Sequence, residues 1–202
     1  AIMLSKVFKA NKCIIYTDVE GVMTTDPKIN KRAKKIKIIS YEEMLEMSSL
    51  GSKVMQSNSV QDARFGRIDV DVRSSFVKKV GTLITKKNNI KNKKIITAIS
   101  STKNDTKITL VGVRDKPGIA ASIFEPLSRN FINVDMVVQN ISADKIDTDV
   151  TFTIKQEDQN KTIKLIKNNS KITYKKIILD GNVSKVSIVG VGMVTTPGVT
   201  YR

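Results

Sequence analysis

The sequence contains no histidine, no tryptophan and one cysteine, Cys13. Without histidine the chain can form neither a His/Cys metal site nor a histidine-dependent catalytic triad, and we expect no bound metal. One cysteine excludes a disulfide within the chain and fits a reducing compartment, so we expect a cytoplasmic protein. Cys13 stands in the apolar run CIIY, which predicts a small buried hydrophobic residue.

Aromatic residues make up only 5% of the 202 residues, whereas hydrophobic residues make up 40%. The core must therefore be aliphatic, and a chain of this length forms one or two domains. No apolar run approaches the roughly 20 residues that a membrane-spanning helix needs, so we expect no membrane partner. The stretch AIMLSKVFKANK is too short and too mixed for a signal peptide.

The formal net charge is +16, from 35 basic and 19 acidic residues. Seven of the basic residues are arginine, which leaves 28 lysines, spread along the whole chain. Phosphate and base recognition favour the arginine fork and interleaved aromatic side chains, both of which are scarce here. We therefore expect weak, salt-sensitive adhesion to polyanions but no specific nucleic-acid partner.

Against this basic background, the stretch YTDVEGVMTTDP (16–27) gathers acids and hydroxyls directly after an apolar run. Gly21 permits a turn, and Pro27 biases Asp26 towards an extended conformation. Two interpretations fit the residues. One is a solvated hairpin, and the other is a strand end that binds a nucleotide.

The first 85 residues mix helix and strand signals. Ser40 and Glu43 predict a capping box for a helix that Gly51 ends, and a second helix is predicted from Val54 to Phe65. The alternation in IDVDVRSSF (68–76) predicts a half-buried strand, and GTLIT (81–85) predicts another. The polar run KKNNIKNKK (86–94) is typical of a linker.

An internal repeat comes after the linker. The segments KITLVGVRDKPGIAA (107–121) and KVSIVGVGMVTTPGVT (185–200) both run from a strand through V-G-V to Pro-Gly. In the first copy, strand 107–113 precedes a helix starting at Pro117, strands at 133–141 and 148–154, a helix near 157–168 and a strand near 172–179. This order predicts a ferredoxin-like βαββαβ module. Pro126, inside the first of these helices, predicts a kink.

Taken in order, these segments resemble the aspartate kinase family. The family's nucleotide segment is similar to YTDVEGVMTTDP. The later part of its kinase domain is similar to SYEEMLEMSSLGSKVMQSNSV (40–60) and VRSSF…GTLIT (72–85). Its paired ACT regulatory domains are similar to VGVRDKPGIAA, NVDMVVQN and VSIVGVGM. The resemblance implies mixed α/β and α+β classes. Residues 1–88 would be the C-terminal part of an amino-acid-kinase domain, 89–94 a linker, 95–180 a first ACT domain and 181–202 an incomplete second one.

That family transfers the γ-phosphoryl group of ATP to L-aspartate and so begins the biosynthesis of lysine, threonine and methionine. ATP, with magnesium as its counter-ion, would be a substrate rather than a bound cofactor. By resemblance, the residues that contact ATP are Thr17, Asp18, Met23, Thr24, Thr25, Asp26, Pro27, Lys28 and Lys53. The family commonly has arginine at the position of Lys28, and lysine keeps the charge but not the bidentate fork. No residue is assigned to the chemical step.

The resemblance also implies an effector pocket for lysine or threonine, between ACT domains of a homo- or hetero-oligomer. Its residues would be Asp115, Lys116, Pro117, Gly118, Ile119, Ala120, Asn133, Val134, Asp135 and Gln139. From the residues alone, a stretch such as 115–118 is more often a plain loop and helix start, and the alternative for Asp135 and Gln139 is that they are exposed strand residues.

Two family segments, K-F-G-G-T-S and R-G-G-S-D, do not occur in the sequence. The chain is therefore expected to be an interior fragment without turnover of its own. A non-catalytic, amino-acid-binding regulatory subunit is the alternative.

Overall fold

The computed structural model describes residues 1–90, 95–141, 147–193 and 196–199. The described chain groups into two compact units, Thr102–Lys185 and the combination of Ala1–Ser101 with Val186–Arg202. We call the combination the first unit and Thr102–Lys185 the second unit. Residues 91–94 of the predicted linker lie outside the described residues, and Lys87–Asn89 forms a short 3-10 turn. The domain boundaries given above stay predictions.

The described residues of the first unit form three α-helices and a four-stranded sheet. Its elements are α1 (Ile2–Val7), β1 (Lys12–Thr17), β2 (Ile38–Ser40), α2 (Tyr41–Ser49), α3 (Ser57–Gly66), β3 (Asp69–Ser74) and β4 (Thr82–Thr85). The sheet order is β1-β3-β4-β2. β1 runs parallel to β3, and β2 runs parallel to β4, whereas β3 and β4 are antiparallel. β1 is therefore not one arm of a hairpin, because its partner lies some 57 positions further along the chain, with Lys12 opposite Asp69.

The predicted capping box is confirmed. The Ser40 hydroxyl accepts the backbone N–H of Glu43 at 3.2 Å, and the Glu43 carboxylate accepts the backbone N–H of Ser40 at 3.3 Å. The helix ends at Ser49, and Gly51 comes two residues later with a positive φ of 104°. Because capping is a local interaction, sequence patterns report it well. Helices α2 and α3 bury Met44, Met47, Val60 and Ala63 in an aliphatic core that includes Cys13.

The second unit has the predicted ferredoxin-like order. Its elements are β5 (Ala98–Arg114), α4 (Ile119–Arg129), β6 (Val137–Ile141), β7 (Asp147–Lys155), α5 (Gln159–Lys167) and β8 (Lys176–Val189). The residues of β5 before Thr102 and those of β8 after Lys185 belong to the first unit. The sheet order is β6-β7-β5-β8, with β7 antiparallel to both β5 and β6. The core is aliphatic around Phe152, whose ring meets that of Phe124 edge to face with centroids 5.4 Å apart. The fold class expected from the sequence is confirmed.

Several predicted bounds are wrong. β5 begins at Ala98 instead of residue 107, and β8 is one strand where the sequence predicts separate strands at 172–179 and 185–189. α4 begins at Ile119, after the N-cap residue Gly118, instead of at Pro117. The amide of Ile119 donates to the carbonyl of Lys116, so Pro117 and Gly118 form a turn before the helix.

α4 continues through Pro126 to Arg129. Proline has no N–H to donate to the carbonyl four residues earlier, which belongs to Ser122. That carbonyl instead accepts the side-chain amide of Asn169 at 2.9 Å. The missing backbone bond is thus replaced from outside the helix, which explains why the helix does not end at the proline.

The two V-G-V copies have matching neighbours. The amide of Lys175 donates to the carbonyl of Val111 at 2.9 Å, and the amide of Thr97 donates to the carbonyl of Val189 at 2.8 Å. Each carbonyl belongs to the first valine of its V-G-V. The glycine of the second copy, Gly190, is packed so closely that an added Cβ would lie 2.1 Å from the carbonyl oxygen of Ile95. Residues 95–97 therefore lie next to the second V-G-V, in the same way as residues 173–175 lie next to the first V-G-V.

Candidate functional site

The first candidate site begins at the carboxyl end of β1. Thr17 lies opposite Ser74 of the parallel strand β3, and its carbonyl accepts the amide of Ser75 at 2.8 Å. Its hydroxyl donates to the carboxylate of Asp18 at 3.0 Å. Asp18 itself is exposed. The carboxyl ends of parallel strands are where α/β sheets bind ligands, so this strand end is a suitable place for a nucleotide.

A loop formed by residues 22–36 comes next, and its base is firmly held. The amide of Val22 donates to the hydroxyl of Thr82 at 2.8 Å, and the carbonyl of Val22 accepts the amide of Ile36 at 2.8 Å. One step further out, the amide of Thr24 donates to the carbonyl of Lys34 at 2.8 Å. The chain reaches this base through Gly21, whose φ of 142° and closeness to Thr82 leave no room for a side chain. We call residues 22–36 the 22–36 loop.

The tip of the 22–36 loop is a compact turn. The Asp26 carboxylate accepts the amide of Lys28 at 2.8 Å, and the Asp26 carbonyl accepts the amides of Ile29 and Asn30 at 3.0 Å each. Met23, Thr24 and Thr25 are half-buried, whereas Asp26, Pro27 and Lys28 are exposed. The Asp26 side chain thus shapes the turn, which leaves the Lys28 side chain as an exposed cation beside it.

The acids of the YTDVEGVMTTDP stretch have local partners. Glu20 lies 3.5 Å from the ammonium of Lys35 and 3.7 Å from that of Lys79. Lys35 also donates to the carbonyl of Val80 at 2.7 Å. With Asp18 bound to Thr17 and Asp26 closing a turn, the clustered acids organise this part of the chain instead of forming a patch of free negative charge.

Lys53, the last residue predicted to contact ATP, is exposed in the segment between α2 and α3. The structure thus brings Met23 to Lys28 together in one loop, next in the chain to Thr17 and Asp18. The inclusion of Lys53 in the same site stays a prediction.

The second candidate site lies at the start of α4. Asp115, Lys116, Pro117 and Gly118 are all exposed between β5 and α4, and Gly118 has a positive φ of 84°. Ile119 is buried and fixes the first turn of α4 to the core, whereas Ala120 is exposed. The first amides of a helix have no acceptor four residues earlier, so an exposed helix start suits a carboxylate ligand. In α4 the amide of Ile119 is already bonded to the carbonyl of Lys116.

The remaining residues predicted for the effector lie in and before β6. The amide of Asp135 donates to the carbonyl of Thr153 at 2.9 Å, and the Asp135 carboxylate forms an ion pair with Lys185. Asn133 and Gln139 are exposed, and Val134 is half-buried. An α-ammonium group at Asp135 would therefore compete with the lysine already there.

One further contact with the 22–36 loop has no counterpart among the sequence patterns. The amide of Ile99, in β5, donates to the carbonyl of Thr24 at 2.8 Å. Ile99 is some 75 positions away in the chain, and no pattern in a single sequence reports a backbone bond of that range.

Within the described residues, no group of three or more acidic or cysteine side chains is arranged to hold a metal ion. In the same part of the chain, no helix is long and apolar enough to cross a membrane.

Comparison with known proteins gives two domain matches. Residues 1–74 match the amino acid kinase family, and residues 108–169 match an ACT domain. A curated aspartate kinase from Pseudomonas putida is 42% identical over 200 residues, which cover 98% of this chain and 48% of the relative. The chain therefore spans about half the length of the curated relatives it matches.

Comparison with solved structures also finds aspartate kinases. Aspartate kinase from Clostridium acetobutylicum superposes with a TM-score of 0.85 at 25% identity, over 99% of this chain and 46% of that one. E. coli aspartokinase III in complex with aspartate and ADP gives a TM-score of 0.82 at 27% identity, over 99% and 44%. The same enzyme in complex with lysine and aspartate gives 0.76 at 28%, over 94% and 42%.

Proposed function

This chain belongs to the aspartate kinase family, and from that premise we propose that it supplies the nucleotide-binding loop and the effector-binding module of an aspartate kinase. The observation that carries the proposal is the match over 98% of the chain, with the kinase and ACT segments in the family's order. The reaction of the intact enzyme would be ATP + L-aspartate → 4-phospho-L-aspartate + ADP.

The nucleotide part of the proposal is supported by the geometry at the end of β1. Phosphoryl transfer depends on positioning and on neutralising the charge of the phosphates. The 22–36 loop has a base fixed by backbone bonds at Val22 and Thr24, and it presents Lys28 at an exposed turn. Lys28 would approach the phosphates of magnesium-bound ATP, and Thr17 and Asp18 would contact the nucleoside. Lys53 would add a second cation.

The regulatory part is supported by the ferredoxin-like second unit. Its exposed turn at 115–118 would receive the carboxylate of an amino acid, while Asp115 would bind the ammonium group. In its complex with lysine and aspartate, E. coli aspartokinase III gives a TM-score of 0.76 to this chain. We propose lysine or threonine as the effector here, bound where ACT domains of an oligomer meet.

We further propose that the chain by itself does not turn over aspartate. It spans about half of its relatives' length, and the sequence contains neither K-F-G-G-T-S nor R-G-G-S-D. An assay that couples ADP release to NADH oxidation, with aspartate and magnesium-bound ATP, should show no rate above the rate without aspartate. A clear aspartate-dependent rate would contradict this.

A regulatory subunit without catalysis is the second candidate, since the second unit has a core of its own. Calorimetry separates the two. A kinase piece binds magnesium-bound ATP, whereas a purely regulatory chain binds lysine or threonine but no nucleotide. A chain that binds neither ligand would contradict both candidates.

A further inference from the structure

Glu43 is a buried carboxylate bound by residues that are far apart in the chain. The residue is only 5% exposed. One oxygen accepts the hydroxyl and the amide of Ser40, at 2.9 and 3.3 Å, and the other accepts the hydroxyl of Thr97 at 2.5 Å. Among the residues that the structure describes, no lysine or arginine forms an ion pair with it. Uncharged donors therefore satisfy the whole of this buried charge.

The hydrogen bond from Thr97 is consequently a strong constraint. Hydroxyl-to-carboxylate bonds of this length are at the short, charge-assisted end of the range. Without the Thr97 hydroxyl, one oxygen of a buried carboxylate would lose its donor, which is far more costly than losing a bond at the surface. Thr97 is thereby fixed to the capping box at the start of α2.

Residues 97–99, which we call the 97–99 segment, connect this anchor to the 22–36 loop. The amide of Ile99 donates to the carbonyl of Thr24 at 2.8 Å. The amide and hydroxyl of Thr24 are in turn bonded to the backbone of Lys34, at 2.8 and 3.0 Å. The base of the loop is therefore bound on one side by its own returning end at Lys34 and on the other side by the 97–99 segment. Both contacts lie within the first unit.

We propose that the 97–99 segment positions the 22–36 loop for nucleotide binding and that Glu43, through Thr97, is the buried anchor of this segment. Thr97 and Glu43 are positioning residues, because both are buried and they act on the loop through the bond between Ile99 and Thr24. The inference rests on the proposed nucleotide site. The inference adds a role for β5, the strand that leads into the second unit. The first residues of β5 hold the 22–36 loop in place.

The chain offers a matched set of variants. Thr97→Val removes the hydroxyl and keeps the shape, whereas Thr97→Ser keeps the hydroxyl. Thr102→Val is the control, because the Thr102 hydroxyl also donates to a buried carboxylate, that of Asp105 at 2.9 Å, but within the second unit. Glu43→Gln keeps the shape of the side chain but replaces the carboxylate by a neutral amide, which weakens the hydrogen bond from Thr97. It replaces Thr97→Val in the comparison if that variant does not fold.

Two measurements on the full chain test the proposal. Hydrogen exchange followed by mass spectrometry reports the peptides that contain residues 22–36 and 97–101. Titration with the fluorescent nucleotide TNP-ATP and magnesium reports the affinity of the nucleotide site. Thr97→Val should speed exchange in both peptides and weaken TNP-ATP binding about fivefold, the lower end of typical coupling between linked sites. Thr97→Ser should restore both, and Thr102→Val should change neither.

Unchanged exchange in the 22–36 peptide of Thr97→Val, or of Glu43→Gln in its place, would overturn the proposal. An equal effect of Thr102→Val would overturn it too, since the response would then not be specific to the anchor. If the unsubstituted chain binds no TNP-ATP, the proposed nucleotide site fails. The exchange measurement still decides whether the segment holds the loop, so the two failures are distinguishable.

Discussion

Gly81 lies directly against the backbone of Val72, so that a Cβ at Gly81 would stand 1.8 Å from the carbonyl oxygen of Val72. The obstacle is backbone in the central strand β3, which cannot move aside as a side chain can. We predict that Gly81→Ala lowers the free energy of unfolding by about 3 kcal/mol or more, at or beyond the upper end of overpacking costs.

Urea unfolding followed by circular dichroism measures this effect. Gly181→Ala is the matched control, because the nearest atom to its Cβ would be 3.8 Å away. It should change the free energy of unfolding by less than about 1 kcal/mol. Equal urea midpoints for the two variants would show that the contact at Val72 is not as tight as described.

Asp71 is a buried carboxylate in the first sheet, bound by Arg73 at 2.6 Å and by Lys12 at 2.8 Å. Burial alone would raise the pKa of Asp71, but the hydrogen bonds and charges of Arg73 and Lys12 outweigh it and lower the pKa below 3.8. A carboxyl with a lowered pKa stabilises the fold above its ordinary pKa, and this stabilisation is lost as the pH falls through the lowered value. Asp71→Asn should therefore make the stability less dependent on pH below about 4.

At pH 7 the same substitution should cost about 2 kcal/mol, typical of hydrogen bonds to a charged group. Urea midpoints between pH 7 and pH 2 give both quantities. Asp180→Asn, which removes an exposed ion pair with Lys107, is the control and should cost less than about 1 kcal/mol. If the urea midpoint of Asp71→Asn falls between pH 7 and pH 2 as steeply as that of the unsubstituted chain, the prediction is contradicted.

The hydroxyl of Tyr41 donates to the carbonyl of Ile68 at 2.8 Å, and Tyr41 is buried at the start of α2. Burial, followed by the negative charge of Asp69, raises its pKa from 10.0 to about 12. Because the folded pKa is the higher one, the stabilisation is complete below pH 10 and is lost as the pH rises towards 12.

Tyr41→Phe should therefore cost about 1 kcal/mol at pH 7, the net value of one hydrogen bond. The variant should also lose stability less steeply than the unsubstituted chain above pH 10. Absorbance at 295 nm should show that the substitution removes a tyrosine ionisation near pH 12. Removal of an ionisation near pH 10 instead would show that Tyr41 is not shielded.

Lys28 is exposed beside the turn that Asp26 closes. An arginine there could make paired hydrogen bonds to a phosphate, whereas lysine acts as a point charge. Lys28→Arg should strengthen binding of TNP-ATP by about threefold, and Lys28→Met should weaken it by a similar factor.

Lys31→Met removes a neighbouring exposed cation that is outside the proposed site, and it should leave the affinity unchanged. If all three variants bind alike, Lys28 does not contact the nucleotide. If Lys31→Met and Lys28→Met weaken binding equally, the loop attracts the nucleotide only through its overall charge.

The features predicted correctly from the sequence are those set by neighbours in the chain. The capping box at Ser40 and Glu43 and the strand predicted at 148–154, which is β7, depend on residues within a few positions of one another, so their patterns are visible in one sequence. The order of elements in the second unit comes from the same kind of signal. The turn at Asp26 and Lys28 is local too, but only the family resemblance connects its loop with a nucleotide.

The missed features depend on contacts between distant residues. Asn169 supplies the bond that Pro126 cannot make, and it lies 47 positions from the carbonyl of Ser122. Likewise, Thr97 is 54 positions from Glu43. The capping box accounts for one oxygen of Glu43, and nothing in the local sequence says where the other finds its donor. β8 continues through Gly181 and Asn182, two residue types that are typical of a break, because its neighbour β5 stabilises it as one strand.

The pairing of Thr97 with Val189 has a consequence for how such a gene can change. The 84 residues of the second unit follow Ser101 in β5 and precede Val186 in β8, and these two strands are neighbours in their sheet. The chain therefore leaves the first unit and re-enters it at neighbouring points. A segment attached in this way is an insert, and inserts with adjacent ends are readily exchanged. Another domain with adjacent ends, grafted between Ser101 and Val186, would leave both attachment points where they are.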